Sequence, residues 1–350
     1  MNKFLLALVL ALPTAALSAT TNSVFARWAE QTYMLGDWDG ARPWLSSHGI
    51  DFEFLYVGSL PSNLGGGIKT GSAYQGGIAA MLDLDSEKLL GYEGGTLHVS
   101  GIWLHGHELF SADYSGDYNR VNLVDFDNAL RLWELYYRQK FFDGKFSAKV
   151  GRLSIDSDFI VPEYFTSFGQ FSLLNQTFAF PTLPFNVFTP PGFPATSHGL
   201  PSMPLATPGA VLAWNPAPEF TVQAGAFSGS PDQSYSGSHW PISQRDGALN
   251  YLEVAWRHNL GTNNPHLGGT VKLGGYYHTS QFTDVYEGVY FAAGLNPAPR
   301  QRTGNYGGYL MAEHQLYLEN GKADPAQQGL LGFFRALAAS LRPQSHAVRT

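Results

Sequence analysis

A chain of 350 residues can hold two ordinary domains or one large β-barrel. Charged residues make up only 14% of it, against the roughly 25% usual in soluble proteins, and the net charge of −7 argues against nucleic acid as a partner. Internally there is no run of the ~20 apolar residues that a membrane helix needs, and there is no cysteine, which fits an envelope protein made without disulfides.

Residues 1–19 read as a secretory signal peptide. Lys3 supplies the positive start, Phe4 to Leu12 the apolar stretch, and Thr14 to Ala19 the small residues around a cut after Ser18 or Ala19; Ala26 offers another. Residues 27–49 form a short helical segment, with Asp37 or Asp39 placed to cap it and Gly49 to stop it. From residue 50 to 335 the chain reads as strands. In Ile50–Gly58, Phe52, Phe54 and Tyr56 share one face while Asp51 and Glu53 share the other. Alternation recurs in Gln75–Leu84, Thr96–His105, Pro208–Asn215, Phe220–Phe227, Leu249–Asn259, Gly269–Ser280 and Asn305–Leu318.

The most explicit unit is Ala129–Leu153, a hairpin expected to turn at Asp143-Gly144. Strict alternation puts Leu132, Glu134, Tyr136 and Arg138 on one face. It puts Arg131, Trp133, Leu135 and Tyr137 on the other, making Trp133 and Tyr137 lipid-facing or girdle residues. About ten clear strands result, few of them charged and many aromatic. That pattern predicts an all-β, antiparallel transmembrane barrel with a short N-terminal helix.

Two long stretches interrupt the strands. Ser111–Asn128 is polar, and its Asp125-Phe126-Asp127-Asn128 reads as an acidic surface loop because the glycine and distal glutamate of a calcium loop are missing. Leu173–Thr207 is proline-rich, and so long a segment is either an ordinary outer loop or one folded into the lumen to narrow it. Catalytic signals are thin. Ser228 sits one place late for a nucleophile elbow, and His105-Gly106-His107 lacks a carboxylate at ligand spacing. No enzyme activity, metal or cofactor is expected.

The run Leu35-Gly36-Asp37-Trp38-Asp39-Gly40-Ala41-Arg42, then Leu45 and His48-Gly49-Ile50, resembles the opening of OprB-type carbohydrate-selective porins. Asp39 stands where that family usually has glycine. The resemblance continues through Gly65-Gly66-Gly67, the Trp133–Lys145 hairpin, Val150–Leu153 and the stretch from Pro208 to Trp214, so it covers roughly residues 33–318. It implies a sixteen-stranded outer-membrane porin passing glucose-like monosaccharides into the periplasm, as a monomer or homotrimer among outer-membrane lipid. Against that pattern the stretch from Gly329 starts as a strand, residues 336–350 form an atypical tail, and the closing four or so strands are missing. An incomplete barrel is therefore expected.

A sugar channel needs a wet lumen whose polar groups exchange hydrogen bonds with hydroxyls. The charged residues assigned to the inward faces are Glu53, Glu134, Arg138, Lys149, Glu253, Arg257 and Lys272. A general or anion-leaning porin would share every strand feature. An exported β-rich binding or adhesion protein would share the alternation but not a lipid-facing belt.

Overall fold

The structure, a computed structural model, describes residue 33 and residues 36–106, 108–116, 121–122, 124–164, 201–264, 266–283, 287, 300–322 and 329–339. The expected signal peptide, His107, residues 173–200 and the end of the tail lie outside the described residues. The chain divides into two units, Met1–Ser47 and His48–Thr350. In the first, helix α1 (Ala41–Ser47) starts on main-chain bonds, Ala41 N to Trp38 O at 3.1 Å and Arg42 N to Asp37 O at 3.0 Å.

The second unit is built on one antiparallel sheet of eleven strands, in which each strand pairs with its neighbour in the chain. Its members are β1 (Ile50–Ser59), β4 (Gln75–Asp85), β5 (Gly95–Gly106), β6 (Ala129–Phe141), β7 (Phe146–Leu153), β8 (Thr207–Ala217), β9 (Phe220–Ser228), β10 (Ala248–His258), β11 (Gly269–Thr283), β12 (Gln301–Leu318) and β13 (Gly329–Ala339). A small hairpin of β2 (Ser62–Asn63) and β3 (Gly71–Ser72) lies in the β1–β4 connection. Among the described residues β1 and β13 are not paired to each other, so the sheet is not closed.

The two faces differ as a membrane wall requires. In β10, Leu249, Tyr251, Glu253 and Ala255 are buried, while Leu252, Val254 and Trp256 are exposed on the other side. The same exposed face carries Trp103, Val150, Trp214 and Leu273. In a half-solvated soluble sheet the exposed face would be polar. Here it is apolar and aromatic, which suits lipid. Among the described residues no helix is long and apolar enough to cross a membrane.

The ends of the sheet also differ. At one end the connections are brief: residues 142–145, residues 218–219, and a turn containing α2 (Ser86–Leu90), whose Asp85 side chain caps the Glu87 and Lys88 amides. At the other end lie the long connections 60–74, 107–128, 154–206, 229–247 and 284–300. This asymmetry is that of outer-membrane barrels, with short periplasmic turns and longer outer loops.

One local expectation holds and one is corrected. The β6–β7 loop spans residues 142–145 between the paired Phe141 and Phe146, and Asp143-Gly144 is its centre as expected: Lys145 N bonds Phe142 O at 3.1 Å and both central residues have positive φ, with Phe142 adding a second, overlapping turn through Gly144 N to Phe141 O. Trp133 is not lipid-facing. The β5–β6 register shifts between Val99 and Gly101, and this bulge turns both Trp133 and Glu134 to the buried side. Trp133 packs there with Val57, Ile102 and Leu104.

Candidate functional site

The chain leaving β7 turns back across the buried face of the sheet. Residues 154–163, Ser-Ile-Asp-Ser-Asp-Phe-Ile-Val-Pro-Glu, form a strap laid obliquely over the strands. Its apolar residues Ile155, Phe159 and Ile160 are fully buried and join Val211, Phe227, Leu249, Tyr251, Tyr276 and Tyr309 in the main core. The Phe159 ring lies 5.2 Å from that of Tyr251. Gly225 makes room beneath it, since a Cβ there would sit 2.8 Å from the Phe159 ring. Burying one such side chain is worth about 1.5–3 kcal/mol.

Polar bonds hold the strap strand by strand. Glu134 on β6 accepts from Ser154 N at 2.9 Å and from the Ser157 hydroxyl at 2.8 Å. Lys149 on β7 pairs with Asp158 at 2.7 Å, its ammonium 4.2 Å from the Tyr136 ring centre. Glu253 on β10 accepts from Ile160 N at 2.9 Å, the Tyr309 hydroxyl at 2.6 Å and Gln223 Nε2 at 2.9 Å. At the far end Glu163 is clamped by Arg257 through Nη2 and Nε, both at 2.8 Å, and by Lys272 at 3.2 Å. Glu163 N in turn bonds Glu313 on β12 at 2.7 Å. Burial alone would raise the Glu163 carboxyl, but the Arg257 hydrogen bond and the two cations outweigh it and hold the group below the ordinary range.

The returning end of the same connection docks on the strap's start. Pro201 O accepts from Ile155 N at 2.8 Å, and Met203 N donates to Asp156 at 2.9 Å. Burial pushes the Asp156 carboxyl up to about 7, against the hydrogen bonds from Ser154 and Met203 N that favour its charge. Met203 and Ala206 then pack with Val57, Leu104 and Trp133. Both described ends of this connection are thus fixed to the sheet's buried face.

The carbohydrate-selective porin (OprB family) model matches residues 69–346, more than three quarters of the chain. The chain belongs to the OprB family. Porin B of Pseudomonas aeruginosa is 29% identical over 333 residues, covering 90% of this chain and 66% of its own length. A putative porin, QuiX, of Acinetobacter baylyi is 24% identical over 273 residues, covering 74% of this chain and 58% of its own. The chain thus spans about two thirds or less of these curated relatives. The high-pH structure of Pseudomonas putida OprB superposes with a TM-score of 0.71 at 24% identity, covering 90% of this chain and 72% of that one, and shows the shared barrel fold.

Of the seven charged residues assigned to the inner face of this OprB-family chain, five hold the strap: Glu134, Lys149, Glu253, Arg257 and Lys272. Glu53 faces the same way on β1 and is exposed, with Met81 opposite in register. Arg138 lies opposite Lys149, and its Nε has no bonding partner among the described residues. The strap's own Asp156, Asp158 and Glu163 were missed, as were Gln223, Tyr309 and Glu313. Asp-Ser-Asp in a short segment reads as surface loop. Its one inward signal was the apolar Phe159-Ile160 pair beside it.

The β5–β6 connection needs a correction as well. Asp125 is not a surface acid but is buried beneath the loop, where it accepts from Phe110 N and Ser111 N at 2.9 Å each, and also from the Ser111 hydroxyl and Gln75. His105 sits on the exposed face among Tyr56, Tyr74 and Trp103.

Proposed function

We propose that this chain forms an outer-membrane channel for passive diffusion of carbohydrates, with glucose-like monosaccharides as the preferred solutes and residues 1–19 directing export. The observation that carries this reading is the strap. A hydrogen-bonded segment fixed across the buried face takes up space on the inner side of the wall, while the opposite face stays apolar. Glu53 and Arg138 face the remaining inner surface and exchange hydrogen bonds with sugar hydroxyls. The other five charged residues act on passage through the strap they hold. Weak, exchangeable contacts of this kind let a solute enter and leave.

Liposome swelling with the refolded chain, comparing glucose with a trisaccharide, tests this. Fast swelling with glucose and little with the trisaccharide is expected. No swelling with either, from chain shown to be inserted, refutes it. A strong reversal potential under a salt gradient, with no size discrimination among sugars, would favour a general ion-selective porin instead.

A further inference from the structure

The three residues His258, Gly269 and His314 lie in one row across β10, β11 and β12. They alternate with inward-facing Arg257, Thr270 and Glu313, so the row is on the lipid-side face, at the short-turn end of the sheet. His258 is the last residue of its strand and Gly269 the first of its own. Because the middle position has no side chain, the two imidazoles meet across it. His258 Nε2 and His314 Nδ1 share a hydrogen bond at 3.1 Å, with ring centres 5.2 Å apart. A Cβ at position 269 would sit 2.4 Å from His258 Nε2 and 2.7 Å from His314 Nδ1. The Trp256 ring, 5.1 Å away, closes one side.

We infer that His258 and His314 form a two-histidine site for one divalent transition-metal ion, completed by water, that clips β10 to β12 across β11. Metal–imidazole bonds are about 2.0–2.1 Å long. Two of them place their nitrogens about 2.9 Å apart at a right angle and about 3.3 Å apart at the tetrahedral angle. The observed 3.1 Å falls between. An ion there replaces the hydrogen bond between the two rings, with both lone pairs turned toward it. Among the described residues no group of three or more His, Asp or Glu side chains is arranged to hold a metal ion, so this pair supplies two ligands and solvent the rest. Lys322, its ammonium bonded to Asn259 O at 2.5 Å, adds positive charge near His258. That charge opposes every divalent cation alike. Two imidazole ligands favour ions with strong imidazole affinity, such as Zn²⁺, Ni²⁺ or Cu²⁺, over hard cations.

The test is calorimetric titration of Zn²⁺ into the refolded, tag-free full chain, with Cu²⁺ electron paramagnetic resonance as a second readout. One ion per chain is expected, with nitrogen hyperfine structure from two imidazoles. His258→Gln and His314→Gln should each weaken binding about tenfold or more, a loss in the range that follows from disturbing a metal site. Gly269→Ala should weaken it with both histidines retained, because the new methyl group drives the rings apart. His105→Gln should change nothing. No binding by the unaltered chain, or equal binding by His258→Gln and His314→Gln, would overturn the assignment.

Discussion

Replacing Glu253 with alanine tests whether the strap is held as the geometry indicates. Glu253 is 1% exposed and accepts three donors, from Ile160 N, Tyr309 and Gln223. A buried donor left without an acceptor costs about 1–3 kcal/mol. Tyr309 and Gln223 lie on the sheet itself, and Gln223 also reaches Asp158 O at 2.5 Å. The Ile160 amide belongs to the strap and would dock without its acceptor, so a net cost of about 2–3 kcal/mol to strap docking is expected. At about 1.4 kcal/mol per tenfold, the undocked fraction rises roughly 30- to 150-fold. The chain has no cysteine, so Ile160→Cys, which keeps the main-chain amide, supplies a single thiol that is buried while the strap is docked. The rate at which a water-soluble thiol reagent modifies it reports undocking directly. Glu253→Ala should accelerate labelling by that factor and Glu253→Gln, which keeps one acceptor oxygen, by less. An unchanged rate in Glu253→Ala would show that the strap is held by its apolar residues alone.

Asp156 supplies a pH dependence, because burial places its folded-state pKa near 7, well above the ~3.9 of a free aspartate. As pH rises from about 4 to about 7 the unfolded chain releases this proton while the folded chain keeps it, so stability falls through that window and levels off above it. Urea midpoints at pH 5 and pH 8 should differ less in Asp156→Asn than in the unaltered chain; an equal difference would exclude Asp156 as the source. Gly151→Ala should abolish refolding: φ is +150°, and a Cβ would sit 2.2 Å from Leu135 O and 2.6 Å from Tyr136 Cα, main-chain atoms of the paired strand that cannot yield. Normal heat-modifiable migration of Gly151→Ala on a detergent gel would refute this.

The wall was legible and its interior was not. Leu249–His258 alternates without interruption, so one strand reveals both faces, and the ten clear strands together with the start at Gly329 match the eleven of the sheet. Trp133-Glu134 defeated the same rule, because a bulge places two consecutive residues on one face and alternation assumes it never does. Glu134, Lys149, Glu253, Arg257 and Lys272 were recognisable as inward charges from their strand positions. Their partners were not, since Asp158 and Glu163 lie on a segment with no periodicity; Asp158 turns back onto Lys149 of the preceding strand, and Glu163 meets strands far along the chain. A hydrogen bond spanning 150 residues, from Glu163 N to Glu313, leaves no local trace in either stretch.

That separation also orders the events of assembly. Glu163 finds Arg257, Lys272 and Glu313 only after β10, β11 and β12 exist, 94 to 150 residues later in the chain. Contacts so distant in sequence close late, because their loop entropy must be met before they contribute. Until then Ile155, Phe159 and Ile160 have no core to enter, and the wall that receives them must form first. The strap is therefore among the last parts to settle, after the strands are in place.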